Sequence, residues 1–222
     1  SDEIYAGRRR PAGHLIAQSL TFHAGITDAA TSSGLRIQRI AVHPDCRRAG
    51  IGRKLVDAAR HHAIAERLDW LGSSFGMTAE MLDFWSACGL LPVRVGNRRD
   101  ARSGTHAVIM IEALSQRGGN LLARARQRLA VHLPDQLAQG LRAVPDEIAA
   151  RLQMNLSKTP AVAAIDRQDL HAFAHGHRPL LDSHGALTRW VARESDSTAL
   201  GKNDRALLQA AVRQPLDSAA VA

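Results

Sequence analysis

The first half of the chain alternates short apolar runs with longer amphipathic stretches, a pattern typical of strands and helices in turn. The apolar runs predict four strands, at residues 35–42, 69–75, 90–95 and 106–111. The first run ends in Ile40-Ala41-Val42, a continuous apolar segment that is typical of a buried central strand. We therefore expect a sheet that holds this strand in its interior.

Amphipathic stretches separate the predicted strands and favour helices. Residues 51–67 place Leu55, Ala59 and Ala63 toward the sheet, and Thr78 can cap a second helix between the next two strands. A further helix is predicted at residues 15–23, ahead of the first strand. The order strand, helix, strand, helix, strand, loop, strand predicts a mixed α/β domain.

The second half of the chain changes to short apolar periods that are separated by glycine and proline. Five helices are expected here, at residues 121–133, 146–156, 166–174, 185–193 and 203–213. Gly118, Gly119 and Pro134 are expected to lie outside the helices. We divide the chain into an α/β domain at 1–114 and a small all-helical tail at 115–222.

Basic residues outnumber acidic ones and are nearly all arginine. Lys and Arg total 29 against 21 for Asp and Glu, so the 222 residues carry a net charge of +8 and a pI near 10.8. Because arginine binds phosphates with two donors and stacks on bases, this balance favours a nucleic-acid partner. A bias in genomic base composition is the alternative explanation. The run Arg8, Arg9 and Arg10 is likewise either a phosphate-binding loop or a solvated turn.

Several other classes of protein are disfavoured. Cys46 and Cys88 cannot form a disulfide framework and lack metal-ligand spacing. His171 and His175 lie four apart on a predicted helix, but no cysteine or well-placed carboxylate accompanies them, so no metal site is expected. The sequence has no membrane-length apolar run, no signal peptide and no initiating Met. We expect a cytoplasmic piece of a longer protein, with no membrane partner.

The segment Arg47-x-x-Gly50-x-Gly52 joins the first strand to the following helix and carries the clearest chemical signal. The first N–H groups of a helix lack partners and carry the positive end of the helix dipole, so this loop predicts an anion site. The spacing fits neither a dinucleotide loop nor a nucleoside triphosphate loop. It resembles the pyrophosphate loop of the GCN5-related N-acetyltransferases, which holds coenzyme A.

More motifs extend this resemblance to one family within that class, the tRNA(Met) cytidine acetyltransferases. The motifs follow in the family's order, as Arg39-Ile-Ala-Val-His-Pro44, the glycine loop, Ser74-Phe75-Gly76-x-Thr78-x-Glu80, Phe84-Trp85, Cys88-Gly89, Val93-Arg94-Val95-Gly96-Asn97-Arg98 and Ser103-Gly104. The earlier segments Arg9-Arg10-Pro11 and Gln18-Ser19-Leu20 are similar to the family too.

The resemblance implies a GCN5-related N-acetyltransferase-like mixed sheet whose first strands are missing, followed by a tRNA-contacting helical tail. The alternative for the tail is that it simply caps the sheet domain. It implies acetyl-CoA as cofactor and tRNA as partner. The product would be N4-acetylcytidine at the wobble cytidine of elongator tRNA(Met). Family members also carry an N-terminal ATPase module that this chain lacks, so ATP and Mg²⁺ are expected only for that module. We expect the chain to be a monomer.

The resemblance also assigns the site residues. The backbone of Ile40, Ala41 and Val42 would hold the pantetheine arm. The pyrophosphate would lie on the loop formed by Arg47, Arg48, Ala49, Gly50, Ile51, Gly52 and Arg53. Glu80 is the candidate catalytic group, as a base or a coenzyme ligand, or else a structural carboxylate, in a capping box or simply at the start of its helix. Phe84-Trp85 stands where many enzymes of this fold carry a tyrosine acid. His106 faces either the cleft or the core.

Arginines around the loop between the last two strands are the candidates for RNA. The proposed RNA-binding residues are Arg94, Asn97, Arg98, Arg99 and Arg102. Two alternatives stay open. The chain is either an acetyltransferase for a protein or small-molecule amine, or a truncated module that binds coenzyme or tRNA without activity.

Overall fold

A computed structural model describes residues 1–101, 103–139, 141, 144–154, 156, 162–193 and 201–213 of the chain. Within these residues, four strands form one mixed sheet, made of β1 (Gly34–Ile37), β2 (Trp70–Gly76), β3 (Leu91–Arg99) and β4 (His106–Ala113). The order across the sheet is β1-β2-β4-β3, with β1 parallel to β2 and the other two pairings antiparallel. The predicted mixed α/β fold is confirmed.

Helices cover the sheet and form the second half of the chain. They are α1 (Asp2–Tyr5), α2 (Leu15–Phe22), α3 (Ile51–Ala65), α4 (Ala79–Ala87), α5 (Gln116–Ala138), α6 (Asp146–Gln153), α7 (Val162–Ala174), α8 (Leu180–Arg193) and α9 (Lys202–Arg213). The helical character of the second half is therefore confirmed. Within the described ranges, every helix is too short or too polar to cross a membrane.

Two hydrophobic clusters build the core. The first packs α3 and α4 on the sheet through Val56, Leu82 and Trp85. The second packs α2 on the opposite face through Ile16 and Leu20. Each cluster takes alternate residues of β4, as expected from the two-residue period of a strand. Together they pack the sheet between two helical layers.

The predicted inner face of α3 is correct for Ala63 and Ala59 but wrong for Leu55. Leu55 is 46% exposed, whereas Val56 and Ala63 are fully buried. The spacing of Val56 and Ala63 keeps them on one helical face, about 100° away from Leu55. Ala59 still packs against the first cluster. The prediction for Leu55 was wrong because Leu55 and Val56 are both apolar, and only tertiary packing decides which one is buried.

The helix α5 is longer at both ends than the sequence predicted. Gly118 lies inside it. A Cβ at this position would come within 1.8 Å of the Asp69 carbonyl oxygen, so only glycine lets the start of α5 lie this close to Asp69. Pro134 also lies inside α5, which continues to Ala138. Leu133 and Leu137 pack in the first cluster on either side of this proline, and their burial offsets the missing backbone donor.

Asp69 joins the edge of the sheet to α5. Its carboxylate accepts hydrogen bonds from the Ser33 backbone at 2.9 Å and from the Ser115 hydroxyl at 2.7 Å. The Ser115 hydroxyl in turn caps α5 by accepting from Gly118 N–H at 3.0 Å. Burial alone would raise the pKa of Asp69, but these hydrogen bonds outweigh it and lower the pKa. Asp69 therefore fixes where α5 starts.

Charged side chains, rather than apolar ones alone, join the later helices to one another. The buried Asp169 of α7 binds Arg128 of α5 at 2.8 Å and also Arg178, just before α8. His132 of α5 lies 3.1 Å from the same carboxylate. A second carboxylate, Asp182 of α8, faces the sheet and is described with the site below.

We predict that Asp69→Ala lowers the free energy of unfolding by roughly 2–3 kcal/mol, because Ser33 and Ser115 lose a charged acceptor in a buried setting. Urea denaturation at neutral pH measures this change. Asp45→Ala is the matched control, since the Asp45 side chain is 87% exposed. A loss for Asp69→Ala no larger than for the control would contradict the role of Asp69.

We predict a pH-dependent loss of stability from His132. Burial, followed by the charges of Arg128 and Arg178, lowers the pKa of His132 from 6.5 to about 4. The neighbouring Asp169 does not reverse this, because its charge is already shared by two arginines. Between these pKa values the unfolded chain binds a proton that the native protein does not. Stability should therefore fall by up to about 3 kcal/mol as the pH drops from about 6.5 to 4.

The measurement compares urea unfolding of the wild type and His132→Gln across this pH range. Glutamine cannot be protonated, so the variant should lose less stability on acidification than the wild type. Identical pH dependence in the two proteins would show that His132 does not titrate in this way.

Candidate active site

The strands β1 and β2 pair over only four residues and then separate. Register runs from Gly34 opposite Trp70 to Ile37 opposite Ser73, and the Ser73 hydroxyl closes the pairing by donating to the Ile37 carbonyl at 3.0 Å. Beyond this point β2 continues to Gly76 and, among the described strands, pairs with β4 alone. The predicted first strand is therefore wrong in length and position, because it ends five residues before Val42 and lies at the sheet edge.

The backbone N–H groups of the segment after β1 are left without partners from a neighbouring strand. Within the described residues, the N–H groups of Ile40, Ala41 and Val42 donate no hydrogen bond. Ile40 packs partly on the first cluster, whereas Ala41 is exposed. The segment is thus anchored by one side chain while its amides stay available. An extended ligand with amide groups could pair with this edge as another strand would.

The glycine loop ends in an open helix N-terminus. Gly50 caps α3 in the left-handed region at φ 74°, and Arg48 is also left-handed at φ 64°, which is uncommon for a residue with a side chain. Lys54 N–H is the first to bond within the helix, to the Gly50 carbonyl at 3.1 Å. The amides of Ile51, Gly52 and Arg53 therefore precede the helical ladder, as an anion site requires.

The loop and the start of α4 enclose one groove, which we call the first groove. Its volume is about 780 Å³. It is lined by Val42, Cys46, Arg47, Arg48, Gly50, Ile51, Gly52, Arg53, Glu80, Asp83 and Phe84. A Cβ on Gly52 would come within 3.1 Å of the Phe84 ring, so glycine lets the loop lie close to α4.

The charges in the first groove favour an anion. Arg47, Arg48 and Arg53 are exposed on one wall. Asp83 on the other wall is neutralised by Arg151 of α6, with two hydrogen bonds of 2.7 and 2.9 Å. The hydrogen bond from Arg151 lowers the pKa of Asp83. The positive charge of Arg151 thus compensates a carboxylate charge that would otherwise repel a phosphate.

Glu80 lies on the groove wall that faces the loop. Thr78 caps α4 through its own hydroxyl, which accepts from Met81 N–H at 3.3 Å, so Glu80 stands at the second helical position and not at the third, where a capping box would need it. Its side chain is exposed. The capping-box explanation is therefore wrong, and a role toward a bound ligand or as a plain helix-start carboxylate remains.

The predicted RNA-binding residues divide into two groups. Arg94 lies 3.7 Å from the Asp182 carboxylate, and Asn97 donates to the same carboxylate at 2.9 Å and accepts from Gln136 at 2.6 Å. Both therefore have protein partners between the sheet and the helical region. Arg98 and Arg99 are exposed at the end of β3. Arg102 lies outside the described residues.

His106 belongs to the core side of β4. It is 4% exposed, its Nδ1 lies 2.9 Å from the Gly96 carbonyl oxygen, and burial lowers its pKa. This geometry gives His106 a structural position beside β3 rather than one in the first groove.

The contact between Asp83 and Arg151 on the groove wall could not be predicted from the sequence, because no local signal joins residues 68 positions apart.

The comparisons with known proteins agree with this geometry. Residues 58–115 match the family described as GNAT acetyltransferase 2, and residues 32–69 match the one described as ESCO1/2 acetyl-transferase. These spans hold the whole sheet, the separation of β1 from β2, the glycine loop, α3 and α4. The chain therefore carries a GNAT-type acetyltransferase domain.

Over most of its length, the chain is also a homologue of the tRNA(Met) cytidine acetyltransferases. It is 40% identical over 218 residues to the protein named tRNA(Met) cytidine acetyltransferase TmcA of Nitrosococcus halophilus, a match that covers 95% of this chain and 29% of that relative. Proteins of the same name from Citrobacter koseri and Photorhabdus asymbiotica are 39% and 40% identical over 87% and 84% of this chain, and over 27% and 26% of their own lengths. The chain thus spans less than a third of these relatives.

We predict that the glycine loop binds inorganic pyrophosphate. Replacing both Arg47 and Arg48 by Ala should weaken that binding roughly tenfold, because two charge-assisted contacts are lost. Isothermal titration at low salt measures it, and Arg167→Ala, which removes an exposed cation from α7, serves as the control. Equal affinities in the double variant and the control would exclude the loop as the anion site.

Proposed function

We propose that this chain binds acetyl-CoA in the first groove and transfers the acetyl group to the exocyclic amine of a cytidine in tRNA. The observation that carries the proposal is the open backbone from Ile40 to Val42, which leads directly into the unpaired amides at the start of α3. The backbone edge suits the amides of a pantetheine arm, and the loop suits the pyrophosphate that follows it. The cationic wall favours the coenzyme's negative charge.

The transfer itself asks little of reactive side chains. The cytidine amine is conjugated with its ring and is uncharged at neutral pH, so no base has to deprotonate it before attack. Attack forms the C–N bond, collapse breaks the C–S bond, and one amine proton ends on the departing thiol. The open amides near Val42 can stabilise the carbonyl oxygen as it gains charge.

Glu80 is the proposed carrier of the proton that the amine sheds. It is the exposed carboxylate on the groove wall opposite the loop, whereas Asp83 is held by Arg151. Phe84 and Trp85 offer no ionisable hydroxyl at this position. Positioning of the amine against the thioester should therefore account for most of the rate enhancement, with a smaller contribution from Glu80.

The RNA is proposed to approach along exposed arginines. Arg98 and Arg99 remain candidates for phosphate contacts, and so does Arg102. Arg94 and Asn97 would reach RNA only by leaving Asp182, so we give them a first role in holding α8 against β3. Specificity for the wobble cytidine of elongator tRNA(Met) is part of the proposal, and is supported by the names of the relatives.

Other parts of the family's activity are also proposals for this chain. We propose that ATP and Mg²⁺ act only through a module outside it, that the protein works in the cytoplasm, and that it is a monomer. An acetyltransferase for protein or small amines is the competing function, and an inactive binding module is the third. The arginine excess favours an RNA substrate over both amine classes.

We predict that labelled acetyl from acetyl-CoA appears in the nucleosides of tRNA when the protein is incubated with both, with ATP present. Glu80→Gln should lower the transfer rate by roughly tenfold to a hundredfold and leave acetyl-CoA affinity within about twofold, since it affects proton transfer and not docking. Glu66→Gln, which changes an exposed glutamate at the C-cap of α3, is the matched control.

The destination of the label separates the three functions. Label in cytidine supports the proposal, and label in protein or in a free amine supports the competing enzyme. Binding of acetyl-CoA and tRNA without any transfer would identify a binding module. An unchanged rate for Glu80→Gln would remove Glu80 from the reaction.

A further inference from the structure

A second groove lies where the N-terminal loop crosses the sheet. Its volume is about 490 Å³, within the range of small-ligand sites. Its polar walls are formed by Arg9, Arg10, Gln18, His23, Ser74 and Arg94. None of the described residues that line it is acidic. Asp182 lies behind it and binds His23 at 2.6 Å, so the cations left to face a ligand are chiefly Arg9 and Arg10.

The second groove and the first groove lie on opposite faces of the sheet. Ser74, Ile109 and Arg94 form one row across β2, β4 and β3, and all three line the second groove. The next residue of β2, Phe75, points to the opposite face and packs in the first cluster with Phe84, which lines the first groove. Because β1 has already left the sheet at Ile37, no strand in the described part of the chain closes the edge beside Ser74.

Two polar groups in the second groove are placed to read a base. The Gln18 amide donates to the Pro11 carbonyl, which fixes its side chain and leaves Oε1 as an acceptor. Within the described residues, the Ser74 hydroxyl makes no hydrogen bond, so it can donate to a ring nitrogen. Phe22 adds an aromatic surface, with the Arg10 guanidinium 5.6 Å from its ring centroid.

These features fit an unpaired nucleotide better than a protonated amine. A lysine ammonium would meet two arginines and no carboxylate, which is unfavourable. A nucleotide places its phosphates near Arg9 and Arg10, and a cytosine edge presents an amine donor and a ring acceptor to Gln18 and Ser74. Uracil would set a carbonyl oxygen against Gln18 Oε1, so the groove would discriminate against it.

We infer that the second groove holds the target cytidine, unstacked from its neighbours, with Gln18 and Ser74 on the base and Arg9 and Arg10 on the flanking phosphates. This inference rests on the proposed function and adds the place where the substrate enters. Gln18 selects the base as it enters, and the amine then leaves Gln18 and passes the open edge at Ser74 to reach an acetyl group on the other face of the sheet. The N-terminal arginines are thereby part of the substrate site and are not a solvated turn.

The test uses two short unstructured RNAs, oligoadenosines that carry one central cytidine or one central uridine. Gln18→Leu should reduce the preference for cytidine over uridine by about tenfold, because Gln18 Oε1, the hydrogen-bond acceptor for the cytosine amine, is lost. The double variant Arg9→Gln with Arg10→Gln should weaken the binding of both RNAs equally, by roughly fivefold to twentyfold. It should also make that binding less dependent on salt. Arg67→Gln removes an exposed cation that follows the C-terminal end of α3 and should change neither the cytidine preference nor the RNA affinity.

Acetyl-CoA affinity is measured for every variant and should stay within twofold of the wild type, which shows that the fold is intact. As a second measurement, the RNA carries 5-iodocytidine and is photo-crosslinked to the wild-type protein. Crosslinks should fall within residues 9–23 or at the end of β2.

The outcomes separate the two proposals. If the wild type binds acetyl-CoA and prefers cytidine, but the variants match it or the crosslinks lie elsewhere, the second groove is not the substrate site and the proposed function survives. If the wild type binds neither acetyl-CoA nor RNA, both proposals fail together.

Discussion

The separation of β1 from β2 after four paired residues is the constraint on which the candidate site depends. Two neighbouring strands that stay paired leave no free backbone between them, whereas here the chain from 38 to 43 leaves the sheet with its amides available. The same separation opens the sheet edge beside Ser74, so both faces of the sheet become accessible at one point. An acetyl donor on one face and an acceptor base on the other can therefore approach each other at the sheet edge, with no need for a channel through the core.

The helical region contributes to this site although it supplies none of the open amides. Arg151 of α6 neutralises Asp83 on the wall of the first groove. Asp182 of α8 binds His23 at the inner end of the second groove and holds Arg94 and Asn97 of β3. The net charge of each groove thus depends on a carboxylate or guanidinium from a distant part of the sequence. The helical region tunes the electrostatics of the site as well as covering the sheet.

The sequence alone predicted the parts that depend on local chemistry. The glycines of the loop, the Thr78 cap and the apolar periods of the helices located the main elements, since each signal is carried by residues close together in the chain. The end of β1 could not be predicted, because Ile40 and Val42 are apolar and only the absence of a partner strand shows that they leave the sheet. The extension of α5 past Pro134 and the burial of Val56 in place of Leu55 were also decided by tertiary packing.

Amide chemical-shift changes during titration of the ¹⁵N-labelled protein with acetyl-CoA test the central claim most directly. The account predicts that the largest changes fall on the amides of residues 40–42 and 50–53, with smaller ones at Glu80 and Phe84. Changes concentrated in the second groove or in α7 and α8, with residues 40–53 unaffected, would contradict it.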